Sequence, residues 1–164
     1  MPKLQRLRAD HALGVLAFES TNRSYFAASV SDRGDAYFDH FTEQYDALLA
    51  EQETGIYAYH ALVDDDGSIL GRFNLVDIDD GTAELGFRVA EHVAGRGVAT
   101  AAVLELLQLA ESVYALRVIR ARAAHENVAS QRVLAKAGFV PAGAADVGGR
   151  AGTWFERALS PTDE

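Results

Sequence analysis

The hydrophobic period changes from two to nearly four in the middle of this chain, and that change most constrains the fold. Gly55–Val63 (GIYAYHALV), Ile69–Ile78 (ILGRFNLVDI) and Thr82–Val89 (TAELGFRV) are short apolar and aromatic runs, divided by Asp64-Asp-Asp-Gly67 and Asp79-Asp-Gly81. Runs of that length between Asp-Gly turns predict three antiparallel strands. From about Arg96 to Tyr114 the spacing becomes helical. Ala99, Ala102, Val103, Leu106, Leu107, Ala110 and Val113 fall on one stripe of a long helix.

The flanks extend the pattern. Leu4–Arg8 reads as a short first strand. His11–Asn22 reads as a helix with Leu13, Leu16 and Ala17 on one face. Ser31–Asp35 is turn-like, and Ala36–Gln52 is helical, with Phe38, Phe41, Tyr45, Leu48 and Leu49 at spacings of three and four. Val118–Ala124 reads as a buried strand. Asn127–Ala137 is a helix with a stop signal: Lys136 in its last turn, Gly138 past it and Pro141 beyond. Two strands, Val140–Ala144 and Thr153–Leu159, bracket the turn Gly148–Gly152. A strand–helix–strand unit at the centre requires a parallel pair, while the meander is antiparallel. The expected fold class is therefore α/β (α+β): a mixed, mostly antiparallel sheet with helices on its faces, in one domain over residues 1–164.

Composition removes several functions. The chain has no cysteine, which excludes a disulfide framework, a thiolate zinc site and a cysteine nucleophile. No histidine pair has the spacing or carboxylate partner of a metal site, so no metal is expected. The net charge of −9 repels a polyphosphate backbone, so no nucleic-acid partner is expected. The N-terminus lacks an apolar signal segment, and no run approaches the roughly 18–20 apolar residues of a membrane span. The sequence thus predicts a soluble, cytoplasmic protein with no membrane partner. A homodimer is compatible with it.

Between the third meander strand and the long helix lies His92–Thr100 (HVAGRGVAT), two glycines around an arginine. A helix N-terminus carries free N–H groups and partial positive charge, and glycines let a phosphate approach them. Gly95, Arg96, Gly97, Val98 and Ala99 offer consecutive donors, and Arg96 adds a full charge. The Gly-Lys-Ser/Thr ending of a P-loop is absent, and the dinucleotide fingerprint would need glycine where Thr100 stands. On local sequence alone, a plain glycine turn and an anion cradle explain the loop about equally well.

The wider sequence resembles the GNAT superfamily of N-acetyltransferases. That family's pyrophosphate signature, Gln/Arg-x-x-Gly-x-Gly/Ala, overlies Ala94–Ala99; Gly97 and Ala99 match, whereas Ala94 stands where a long polar side chain is usual. A second block, Asn127-Val-Ala-Ser130 followed by QRVLAKAGF to Phe139, matches the family's C-terminal half. A third is Ala83–Phe87. Together they resemble the ribosomal-protein N-terminal alanine acetyltransferases, strongly from about Gly67 to Gly143.

The resemblance implies the GNAT acyl-CoA acyltransferase fold, with splayed parallel strands, and acetyl-CoA as cofactor. It implies pyrophosphate contacts from Ala94, Gly95, Arg96, Gly97, Val98, Ala99 and Thr100, pantetheine contacts from the Phe87 and Val89 backbones, and a contact from Asn127. Asn127 is also an ordinary helix N-cap, and Ser130 an ordinary third helical residue. The resemblance places the Ser130 hydroxyl near the sulfur, to protonate the leaving thiolate. Arg132 and Lys136 are either a solvated face or a contact for the 3′-phosphate.

Glu84 is the candidate general base. Strand alternation puts it on one face with Gly86 and Arg88, opposite Ala83, Leu85, Phe87 and Val89. The competing reading is an ion pair with Arg88 or Arg72. Asp32, Asp35 and Phe38, with Phe26 and Tyr37, are candidates for receiving a cationic amine, and a simple connection between helices explains them about as well. The expected reaction is direct acetyl transfer to a primary amine, with a protein or peptide N-terminus favoured. The alternatives are a small amine, such as an antibiotic or polyamine, and a CoA-binding sensor without catalysis.

Overall fold

The computed structural model describes residues 1–159; residues 160–164, the end of the expected 1–164 domain, lie outside them. Seven strands form one sheet: β1 (Lys3–Arg6), β2 (Ala58–Val63), β3 (Ile69–Asp79), β4 (Thr82–Val89), β5 (Val118–Ala124), β6 (Val140–Val147) and β7 (Arg150–Ala158), in spatial order β1-β2-β3-β4-β5-β7-β6. Every pair is antiparallel except β4–β5. Their connection is α5 (Val98–Ser112), so β4–α5–β5 is the expected parallel crossover.

Strand alternation divides the side chains between two layers. On one face, Phe73, Leu75, Ala83, Leu85, Ile119 and Ala121 pack against the Ala102, Val103, Leu106, Leu107 and Ala110 stripe of α5, with Leu134 of α6 (Val128–Lys136). On the other, Tyr59, Ala61 and Ile69 pack under α1 (Ala12–Thr21), α2 (Arg23–Ala27), α3 (Asp35–Asp39) and α4 (Phe41–Glu53), through Val15, Phe18, Phe26, Phe41 and Tyr45. Burying a side chain of this kind contributes about 1.5–3 kcal/mol.

Four sequence expectations need correction. The buried stripe of α1 is Val15, Phe18 and Glu19, not Leu13, Leu16 and Ala17; Leu13 is 82% exposed. A carboxylate inside the stripe hid the helical pattern. The expected helix over 36–52 is two, divided at His40, where ψ of 32° leaves the helical region, and α2 precedes them unannounced. Val113 lies just past the end of α5 and is exposed, while Leu116 fills the core. The last hairpin turns on Gly148 and Gly149 alone, since Val147 pairs with Arg150. Gly152 lies inside β7, and the position requires glycine because a Cβ there would meet the Ala123 carbonyl at 2.5 Å.

Candidate active site

The β4–β5 ladder is short. Thr82, Ala83, Glu84 and Leu85 pair with Val118, Ile119, Arg120 and Ala121, and there the register stops. Beyond it, β4 runs on to Val89 against β3, and β5 runs on to Ala124 against β7. Gly86–Val89 and Arg122–Ala124 therefore face each other across an opening in the sheet. Facing edges without a ladder leave main-chain groups ready for a ligand with amides of its own. Phe87 and Val89 lie on one lip. The helix capped by Asn127 starts just past the other.

The glycine loop closes one end of this opening. Gly95 and Gly97 have φ of +75° and +79°, which side chains other than glycine adopt only under strain. Gly97 is the N-cap of α5, with no side chain capping the helix. The N–H groups of Val98, Ala99 and Thr100, in the first turn, have no helical partner, whereas Ala101 already bonds Gly97 O. A Cβ at Gly95 or Gly97 would meet no heavy atom within 4 Å, so the loop stands open above its donors. Arg96 is exposed beside them, and Ala94 is half-buried. An uncapped helix start with open glycines suits a pyrophosphate, so the residues present fit the cofactor the sequence implied.

Asn127 does cap α6: its side-chain oxygen accepts from the Ser130 N–H at 3.2 Å. Ser130 is half-buried in the first turn. Arg132 and Lys136 are exposed.

The helices α1–α4 cover one face of the sheet over β1–β3 but leave part of it bare over β4, β5 and β7. Glu84 and Gly86 lie in this bare part, and a Cβ on Gly86 would meet nothing within 4 Å. Glu84 pairs with Arg122 of β5, not with Arg72 or Arg88: Nε donates to Oε2 at 2.9 Å and Nη2 to Oε1 at 3.4 Å. The Arg122 guanidinium lies over the Trp154 ring, 4.9 Å from its centroid, and Arg120 is over the same ring at 4.1 Å.

Arg72 and Arg88 face a carboxylate that sequence reasoning missed. Glu19 of α1 is 1% exposed and accepts from Arg72 Nη1 at 2.8 Å, Arg88 Nη1 at 3.2 Å, and Arg33 Nε and Nη2 at 2.9 and 3.1 Å. Burial alone would raise its pKa, but the three guanidiniums outweigh burial and hold it below the ordinary value. A signal was present: Arg72 and Arg88 are direct cross-strand partners, and like charges so placed demand a carboxylate between them.

Asp32 and Asp35 are both paired with Arg23. Arg23 of α2 donates to Asp32 Oδ1 and Oδ2 at 2.9 and 2.8 Å and to Asp35 Oδ1 at 2.8 Å, and its guanidinium lies 4.4 Å from the Phe38 ring centroid. The cation these three residues hold is the chain's own, supplied by the unexpected helix α2. The Arg23 hydrogen bonds lower the Asp32 pKa to about 2. Beside this cluster, Ser29 accepts from Arg150 of β7 at 3.1 Å, and Arg150 also holds Glu126 at 3.0 Å. The 28–34 loop is thereby strapped to the last hairpin across the bare face.

Among the described residues, no group of three metal-ligating side chains is gathered and no helix is long and apolar enough to cross a membrane. His60 is buried against Tyr114, with Nε2 3.2 Å from the hydroxyl; His92 and His125 are exposed.

A mixed sheet opened at its one parallel junction, with a glycine-rich helix start at the opening, is the architecture of the acyl-CoA acyltransferases. The family model described as the acetyltransferase (GNAT) domain matches residues 3–140, and the chain belongs to that family. It is accordingly an N-acetyltransferase, and acetyl-CoA is the donor. Three solved structures share the fold. Ribosomal-protein-S5-alanine acetyltransferase from Vibrio fischeri superposes with a TM-score of 0.89 at 19% identity, covering 99% of this chain and 96% of that one. Mycobacterium smegmatis RimJ, in complex with CoA-disulfide, gives 0.84 at 22% identity, covering 94% and 80%. Spermidine N-acetyltransferase from Vibrio cholerae, in complex with CoA and spermine, gives 0.80 at 17% identity, covering 96% and 95%. No curated protein matches the chain.

Proposed function

We propose that this chain transfers the acetyl group of acetyl-CoA directly to the N-terminal amine of a protein or peptide. One observation carries the choice of acceptor. The carboxylates around the bare face are already held by arginines: Glu84 by Arg122, Glu19 by Arg33, Arg72 and Arg88, Asp32 and Asp35 by Arg23, Glu126 by Arg150, and Glu156 by Arg120. A polyamine needs several free carboxylates, whereas a single amine entering over Gly86 needs one proton acceptor.

Bound acetyl-CoA supplies the activated acyl group. The chain's own residues do the rest. The Gly95–Thr100 loop holds the pyrophosphate, and the Phe87 and Val89 main chain holds the amides of the arm. A main-chain N–H on this lip polarises the acyl carbonyl. Glu84, oriented by Arg122, takes the ammonium proton directly or through water. The guanidiniums around the face help, because positive surroundings favour a neutral amine over an ammonium. The Ser130 hydroxyl donates a proton to the departing thiolate and regains one from the newly acylated nitrogen. With no cysteine in the chain, no acetyl-cysteine forms.

An acceptor screen tests this. Free thiol is followed as the protein and acetyl-CoA are mixed with N-terminal peptides, spermidine, spermine and aminoglycosides. Peptides should be turned over fastest. Faster turnover of a polyamine would overturn the choice of acceptor. Acetyl-CoA binding without turnover of any amine would mark a sensor.

A further inference from the structure

We propose that Arg88, backed by Arg33 and Arg72, forms an anion subsite for the acceptor, so that the preferred acceptor is a peptide with an acidic side chain in its first two residues. This rests on the peptide reading above and names the substrate class within it.

The argument is one of unmatched charge. Three guanidiniums surround one carboxylate in a cluster where Arg72 is 4% exposed, and even with the adjoining Arg23–Asp32–Asp35 group, whose Asp32 acts on Arg33, positive charge stays in excess. A carboxylate offers about four lone-pair positions. The four hydrogen bonds from Arg33, Arg72 and Arg88 fill those of Glu19. The remaining donors of partly exposed Arg88 are free to take another anion, and buried Arg72 Nε has no hydrogen-bond partner. Burial and the neighbouring Arg33 charge both weaken the hold of Arg88 on its proton, as expected where negative charge is short. A local excess of positive charge in a chain of net charge −9 runs against the composition and asks for a cause.

Position connects the cluster to the acceptor. Arg88 is two residues beyond Gly86 on the same strand face, about 7 Å at the usual strand rise. It is partly exposed and stacked on Phe26, 4.6 Å from the ring centroid, which holds it in place. An amine over Gly86 thus brings a carboxylate in its first two residues within reach of Arg88. Asn74, the cross-strand partner of Gly86, has a buried Oδ1 with no hydrogen bond. That atom suits an N–H at the start of the peptide, so an unmet donor and an unmet acceptor lie two residues apart on one face of β3.

The test compares peptides Ala-Asp, Ala-Asn and Ala-Lys on one scaffold, with free aspartate beside them, in wild type, Arg88→Met, Arg88→Lys and Arg33→Met. Wild type should favour Ala-Asp over Ala-Asn by about tenfold or more in kcat/KM, the worth of one charge-assisted hydrogen bond. Arg88→Met should bring the ratio close to one, Arg88→Lys should restore part of it, and Arg33→Met, which removes charge from the loop side, should lower it too. Melting curves confirm that each variant is folded. Equal rates on Ala-Asp and Ala-Asn in wild type, or an unchanged ratio in folded Arg88→Met, would overturn the proposal. So would an equal loss of acetyl-CoA affinity in Arg88→Met, since the anion would then belong to the donor. If no peptide is a substrate, the peptide reading fails. If free aspartate matches Ala-Asp, the carboxylate subsite stands and the peptide reading alone falls.

Discussion

Arg122 grips Glu84 across the last paired step of the parallel junction, with Nε 2.9 Å from Oε2. The fork sets the carboxylate where the two strands begin to part, beside the space over Gly86. If Glu84 is the proton acceptor, Glu84→Gln keeps the shape and removes the function. Its kcat should fall by about 10²–10⁴, with the acetyl-CoA Kd unchanged. Steady-state thiol release and calorimetry read the two separately, and an unaltered kcat would place the base elsewhere.

The glycine at the start of α5 separates donor from acceptor binding. Alanine at Gly97 meets no atom but must adopt φ near +79°. A free loop that relaxes away from this φ must regain it on binding, at about 1–2 kcal/mol or roughly tenfold in affinity. Gly97→Ala should therefore weaken acetyl-CoA binding by about that factor while the acceptor KM stays the same. Isothermal titration with acetyl-CoA and an acceptor KM measured at saturating donor distinguish this from a general loss of folding.

Glu19 makes acid stability depend on one buried carboxylate. Its folded pKa lies below the ordinary 4.5, because the guanidiniums outweigh its burial. Such a group stabilises the fold fully above the unfolded value, and the gain is lost as pH falls through the folded value. Glu19→Gln leaves the buried Arg72 guanidinium and the partly exposed Arg33 and Arg88 without their anion, and should cost about 3–5 kcal/mol at neutral pH. Its Tm should also change less with pH below 4.5 than that of wild type. Melting temperatures between pH 2.5 and 7 measure both effects.

His60 acts in a higher window. Burial holds its pKa down to about 4, against 6.5 in the unfolded chain. The folded protein keeps the ring neutral while the unfolded chain takes up a proton below 6.5. Stability therefore falls as pH drops from 6.5 towards 4, by at most about 1.4 kcal/mol per pH unit. His60→Leu should flatten the Tm profile over that interval and leave the part below 4 as it was.

The meander, the crossover helix and the glycine loop were legible because each rests on a local rule. Asp-Gly turns set the strands, the stripe from Ala99 to Ala110 sets α5, and Asn127 caps α6 as its position predicts. The charge pairing around the bare face of the sheet was not legible. Its carboxylates and arginines meet over sequence separations of 53 and 69 for Glu19 with Arg72 and Arg88, and 38 for Glu84 with Arg122. Their hydrogen bonds leave no mark on local periodicity, except as a charge where an apolar residue is expected. Glu19 in the α1 stripe is that mark, and it displaced the helix face by two residues.

By itself the sequence determined the order of the strands, the parallel centre of the sheet with its crossover helix, and an uncapped helix start able to hold an anion, since these follow from side-chain period and backbone chemistry within short windows. Only the tertiary structure decided which charge meets which. It paired Glu84 with Arg122, gave Asp32 and Asp35 to Arg23, and gathered three guanidiniums on Glu19. Ion pairs form wherever packing brings charged groups together, and packing is a property of the whole sheet and its layers.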